Sequence, residues 1–147
     1  MNTFLVVNGP NLDMLGKRDP SQYGTVTLKE LEQRTRDRGQ KLGVALLFRQ
    51  SNIEGELIDF VNGHASQAHG IIINPAGLTR VGYPLLDACI DSGLPMVEVH
   101  LSNIFQREEW RADSIFSRKA NATISGMRWM GYVAAVEYLT TLINKEV

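Results

Sequence analysis

The chain has a single cysteine, Cys89, so no disulfide can form within it. That cysteine sits among Leu85, Leu86 and Ile90 and reads as a small buried hydrophobe rather than a nucleophile. Histidine is scarce as well. His64, His69 and His100 are scattered, and with one cysteine they give no metal-ligand spacing, so neither a metal nor a cofactor is expected. No run approaches the ~18 apolar residues of a membrane span. The apolar start Phe4–Val7 is too short for a secretory signal, has no basic residue before it and ends in Asn8, Gly9 and Pro10, which makes the cytoplasm the expected compartment. Neither sign of charge prevails: 15 Lys and Arg stand against 16 Asp and Glu, a net charge of −1. Arg34, Arg36, Arg38 and Lys41 crowd one stretch, but Glu30, Glu32 and Asp37 are interleaved with them, which makes a solvated helix face rather than a nucleic-acid patch. Neither GxGxxG nor GxxxxGK[ST] occurs, which removes the dinucleotide fingerprint and the Walker loop. No repeat, linker or low-complexity tract divides residues 1–147, and the length suits one domain.

What the chain does have is a strict alternation of elements. Short apolar runs recur at Thr3–Val7, Val44–Phe48, Gly70–Ile73, Met96–Val99 and Ala122–Ser125. They are continuous rather than alternating, as strands buried on both faces are. Amphipathic stretches lie between them. Thr27 and Glu30 have capping-box spacing and open a helix that Gly43 ends. A second helix opens from Asn52, with Leu57, Ile58, Val61 and Ala65 on one face; a third spans Tyr83–Ser92; a last one aligns Tyr132, Val136, Leu139 and Ile143. Such β/α alternation predicts a flavodoxin-like α/β fold: a doubly wound, five-stranded parallel sheet between two helical layers. Ligands in such sheets bind beyond the carboxyl ends of the strands, where strand order reverses. Polar residues gather at those ends: Asn8 and Asn11, Gln50 to Asn52, Asn74, then His100, Ser102 and Asn103.

Residues around 10–24 form a long segment without clear period, punctuated by Gly16, Pro20 and Gly24, which has the build of a mobile lid with hinges. It carries Arg18 and Tyr23. A free tyrosine titrates near ~10, and a neighbouring guanidinium is the kind of group that would let one act as a base at neutral pH. The residues alone leave open whether Arg18 pairs with Asp19 instead. Glu98 and His100, two apart on a strand, share a face, so the carboxylate can fix the imidazole for acid catalysis; a purely structural histidine is the alternative. Asn74 and Ser102 suit carboxylate or hydroxyl capture, though each is also an ordinary turn former. Arg107, Arg111, Arg118 and Lys119 crowd the segment after the fourth strand, and one of them facing the cleft would favour an anionic ligand.

Taken together these residues resemble the type II dehydroquinate dehydratases. Asn8 to Gly24, NGPNLDMLGKRDPSQYG, is similar throughout to the family's GPNL…LG.R.P…YG signature. Gln50 to Leu57 (QSNIEGEL), Ile73 to Pro75 (INP), Val97 to Asn103 (VEVHLSN) and Arg107 to Arg111 (REEWR) extend the resemblance collinearly along the chain. It implies anti elimination of water from 3-dehydroquinate through an enolate, giving 3-dehydroshikimate. Tyr23 would take the C2 proton with Arg18 activating it, Asn11 would help hold an enolate-stabilising water, and His100, oriented by Glu98, would protonate the departing hydroxyl. Asn74, Leu101, Ser102 and Arg111 would bind the anionic cyclic hydroxy-acid; Arg80, which departs from the family's pattern, is expected to contact it too and to pair with Asp87 when the site is empty. The resemblance further implies a homo-oligomer, a dodecamer of trimers in which Asp87 reaches a neighbour's site.

The chain departs from the pattern at three places. Arg80 stands where the family has a histidine after N-P-x-x-x-T, Ala112, Asp113 and Ser114 stand for His-His-Ser, and Ile53 replaces a His or Tyr. Action on a related hydroxylated cyclohexane carboxylate, or binding without turnover, are the competing expectations that Arg80 raises.

Overall fold

The computed structural model of the chain describes residues 1–146. Five strands, β1 (Asn2–Asn8), β2 (Val44–Gln50), β3 (Gly70–Asn74), β4 (Met96–His100) and β5 (Ala122–Ser125), pair in parallel in the order β2-β1-β3-β4-β5. Helices α1 (Pro20–Tyr23), α2 (Leu28–Lys41), α3 (Glu54–His64), α4 (Tyr83–Asp91) and α5 (Met130–Ile143) connect or flank them.

Alternating side chains of the central strands feed two separate cores. Phe4, Val6, Ile72, Val97 and Val99 pack with Leu31 of α2 and Tyr132, Val136 and Leu139 of α5. Leu5, Val7, Ile71 and Ile73 pack with Leu57 and Val61 of α3 and with Leu85 and Cys89 of α4. This is the flavodoxin-like, three-layer arrangement expected from the alternation. Cys89 is buried, and burial pushes its thiol up to about 12, which keeps it unreactive.

Two expectations need correction. Burial on both faces holds for β1, β3 and β4 but not for β2, which has exposed as well as buried residues, nor for β5, none of whose residues is fully buried, because these two are the sheet edges. Four strands also run past their apolar cores: Asn8, Gln50, Asn74 and His100 are ladder residues, not loop residues. Backbone pairing is indifferent to the side chain, so the ladder continues after the apolar run has stopped. The consequence is functional, since the polar groups stand on rigid backbone.

Thr27 caps α2 by accepting from the Glu30 amide (3.2 Å), and Gly43 follows it with φ 72°. Helix α3 begins at Glu54 rather than at Asn52, because Asn52 turns to the neighbouring loop and accepts from the Asn11 amide (2.8 Å). Helix α4 ends one residue earlier than the sequence predicts. Among the described residues, no helix is long and apolar enough to cross a membrane.

The chain leaves β1 for β2 on one side and returns to β3 on the other. The reversal of strand order therefore lies between Asn8 and Asn74, which are register partners. Gly9 follows directly, and its amide donates to the Asn74 carbonyl (2.9 Å). A Cβ at this position would stand 2.2 Å from the Pro75 carbonyl oxygen, so only glycine lets the two loops close over the crevice.

Candidate active site

A cavity of about 290 Å³ opens at that reversal point. Asn74 of β3 and His100 of β4 form part of its floor. The segment after β1 supplies Asn11, Arg18 and Tyr23, and the segment after β4 supplies Leu101, Arg107 and Arg111. Four arginines (Arg18, Arg80, Arg107 and Arg111) line it, and among the described residues no carboxylate does. Such a lining favours an anionic ligand.

The segment around residues 10–24 contains two short helical turns. Leu12–Met14 make one 3-10 turn, and Pro20–Tyr23 form the short helix α1. Asp19 caps that helix, accepting from the Ser21 amide (2.9 Å) and hydroxyl (2.7 Å), and these bonds hold its carboxyl below the usual range. Asp19 is thus occupied, and Arg18 pairs with Tyr23: Nη2 donates to the phenol oxygen at 2.7 Å, with the guanidinium 3.8 Å from the ring centre. Gly16 (φ 91°) and Gly24 (φ 77°) bracket the segment in left-handed backbone.

A second guanidinium meets the same oxygen. Arg107 Nη1 donates to Tyr23 Oη at 2.7 Å and to Ser102 Oγ at 3.2 Å. Sequence reasoning left Arg107 among four cations with no means of choosing between them. It lies 84 residues from Tyr23, and only the fold brings the two together. Arginine can only donate, so the phenol oxygen accepts from two guanidinium groups at once.

Across the cavity, His100 Nε2 lies 2.5 Å from Glu98 Oε2. Both residues are buried, as their spacing on β4 implies. Glu98 also accepts from Ser114 (2.7 Å, Oε2) and Ser117 (2.6 Å, Oε1). Burial alone would raise this carboxyl; the hydrogen bond and charge of His100, with the two serine hydroxyls, outweigh burial and hold it below its ordinary value. With Nε2 engaged, Nδ1 has no partner among the described residues and is the nitrogen free for a ligand.

The other candidates separate into two groups. Asn74 and Leu101 line the cavity, and Asn74 Oδ1 also accepts from the Ala76 amide (3.1 Å). Asn11 lines it in left-handed backbone, φ 69°. Arg111 lines it while bonded to Glu108. Ser102 is not part of the lining: it lies buried behind Arg107 and fixes that guanidinium. Asp87 sits on the exposed side of α4 and does not line this cavity. Arg80 does line it, but a pairing with Asp87 is not found; its Nε faces Asp113 Oδ2 at 3.4 Å. Two of the sequence departures therefore meet at the cavity mouth.

The pattern of the family described as dehydroquinase class II matches residues 2–140. The chain belongs to that family. A 3-dehydroquinate dehydratase of Corynebacterium pseudotuberculosis is 50% identical over 92% of this chain and 94% of its own length. Another, from Roseiflexus castenholzii, is 47% identical over 92% and 87%. The crystal structure of a type II dehydroquinase from Propionibacterium acnes superimposes with a TM-score of 0.91 at 36% identity, covering 96% of this chain and 97% of the other.

Proposed function

We propose that this chain dehydrates 3-dehydroquinate to 3-dehydroshikimate. The observation that carries the reading is the pairing of Tyr23, accepting from Arg18 and Arg107, with a Glu98-held His100 in one arginine-lined cavity. Tyr23 as phenolate takes the C2 proton and leaves an enolate. His100 gives a proton to the C1 hydroxyl, which departs as water, and solvent restores both groups. Asn11 assists the enolate through a water, while Asn74, the Leu101 backbone, Arg80 and Arg111 engage the carboxylate and ring hydroxyls, with Ser102 holding Arg107. The decisive experiment mixes the protein with 3-dehydroquinate and follows the absorbance of the conjugated enone. No rise in absorbance at micromolar enzyme would remove the reading.

Arg80 bears on rate more than on chemistry. Its bond to Asp113 is exposed and long, the kind of pair worth ~0–1 kcal/mol, so a substrate carboxylate or hydroxyl can displace Asp113. A histidine donates and accepts over a shorter reach, whereas arginine only donates. Arg80→His is expected to raise kcat/KM for 3-dehydroquinate roughly tenfold, about 1.4 kcal/mol. A fall would mean that the arginine is an adapted part of this site.

The reading extends to a cytoplasmic homododecamer built from trimers, in which Asp87 completes a neighbour's cavity. Its support is the position of Asp87 outside its own cavity, on a helix that also exposes Tyr83 and Ile90. Asp87→Ala should raise KM several-fold with kcat little changed, and sedimentation should give a trimer-based assembly. Full activity as a monomer at assay dilution would refute the shared site.

A further inference from the structure

We propose that Arg128 is a positioning residue for the reaction, a latch that fixes the Tyr23-bearing helix of the lid against the strand that carries His100; this rests on Tyr23 acting as the base. Arg128 lies in the loop between β5 and α5 with φ 55°, a left-handed conformation that penalises a residue with a side chain. Nothing in the chain's local turn needs an arginine there. The side chain reaches across 107 and 108 residues of sequence to donate from Nη1 to the Pro20 carbonyl and from Nη2 to the Ser21 carbonyl, both at 3.0 Å. These are carbonyls of α1: that of Pro20 also accepts from the Gly24 amide (3.0 Å), which closes the helix's single turn, and that of Ser21 belongs to the same short helix. A cation donating to carbonyl oxygens of so short a helix is favourable in charge as well as in geometry.

The backbone of the same loop holds the other half of the site. The Arg128 amide donates to the Leu101 carbonyl (3.0 Å) and the Gly126 amide to the His100 carbonyl (3.2 Å). Ser125 Oγ donates to the Ser102 carbonyl (3.2 Å) and accepts from the Ile104 amide (3.1 Å). One loop therefore carries the end of β4 on its backbone and the lid helix on one side chain. Gly24, at the lid's hinge, leaves just enough room: a Cβ there would stand 3.1 Å from Arg128 Nη1. A fork with two parallel donors is what sets an orientation and not merely a distance, and lysine cannot reproduce it.

The test uses Arg128→Gly and Arg128→Asn in the full-length protein. Both residues tolerate left-handed backbone, so both keep the loop while removing the fork. Two readouts follow: the rate of trypsin cleavage after Lys17 or Arg18 in the native lid, and kcat and KM for 3-dehydroquinate. Both variants should be cut in the lid at least tenfold faster with an unchanged melting temperature. Turnover should fall about tenfold, because proton transfer depends on placement of the base. Arg128→Lys should recover only part of the loss. Unchanged lid cleavage, or kcat within twofold of the parent, would overturn the latch; a fall in activity that only tracks a lowered melting temperature would overturn it too. Tyr23→Phe separates the two ideas. If that variant keeps full turnover while Arg128→Gly still opens the lid, the base assignment fails and the latch stands.

Discussion

Replacing Tyr23 with phenylalanine is expected to lower turnover of 3-dehydroquinate by 10² or more while leaving folding intact. A positioned general base is worth on the order of 10²–10⁴ in rate. Phenylalanine preserves the ring that Arg18 and Arg107 stack against, at 3.8 and 5.0 Å from its centre, so the lid loses one oxygen and little packing. That oxygen is the point on which both guanidinium groups converge, and without it they face each other with no acceptor between them. Substrate carries its own negative charge into a cavity in which each of the two arginines has then lost one acceptor, Arg107 keeping Ser102. KM should therefore change far less than kcat, and could fall. The measurement is steady-state kinetics on the enone absorbance, with melting temperature as the folding control. Turnover within threefold of the parent would show that another group takes the proton. Arg107→Ala belongs to the same experiment: it removes one of the two donors, and its loss in kcat should exceed the few-fold effect of an ordinary surface arginine. If Arg18→Ala is damaging and Arg107→Ala is not, the phenol oxygen depends on one partner alone.

Much of this site was legible because it sits on rigid strands with a strong rule attached. The parallel order and the reversal between β1 and β3 place Asn74 and His100 at one crevice, and the two-residue spacing of Glu98 and His100 gives their shared face directly. Tyr23 and Arg18 were legible through their five-residue separation in a segment too long to be a plain connection. What stayed hidden has a common physical cause. Arg107, Asp113 and Arg128 act through contacts with residues remote in sequence, and each looks like an ordinary surface charge where it stands. Arg107 shares its segment with three other cations, and no period distinguishes the one that turns inward. Asp113 becomes informative only when Arg80 is found beside it. The φ of Arg128 is a property of the backbone that no side-chain pattern announces. Edge exposure of β2 and β5 was missed for a different reason: a continuous apolar run cannot say whether a strand is flanked on both sides, which depends on topology. The polar strand ends were misplaced by one or two residues because apolarity stops at the crevice and the hydrogen-bond ladder does not.

Glu98→Gln should lower turnover by about 10² or more and should also flatten the acid limb of stability. The carboxylate has three donors, His100, Ser114 and Ser117, and no exposure to water. An amide is nearly the same size but has one acceptor oxygen. With that oxygen toward His100 the imidazole keeps its tautomer but loses the negative charge that stabilises its protonated form. With the nitrogen toward His100 the opposite tautomer is imposed, and Nδ1 becomes the protonated position. Either way the acid is impaired, and removing the charge partner of a catalytic imidazole costs about 10⁴ in the best-studied triad. The stability effect has a definite sign. Folding holds the Glu98 carboxyl below its ordinary 4.5, so the unfolded chain binds the proton more readily. The stabilisation is therefore present above that value and is lost as pH falls through the lower folded one. Urea unfolding from pH 6 to pH 3 should show the parent losing its advantage over Glu98→Gln below about pH 4.5. Because Ser114 and Ser117 share the carboxylate, Ser117→Ala should move in the same direction to a smaller extent, leaving Oε1 short of its donor. A stability difference between parent and Glu98→Gln that stays constant across this range would show that folding does not keep Glu98 ionised, and the orientation of His100 would need another cause.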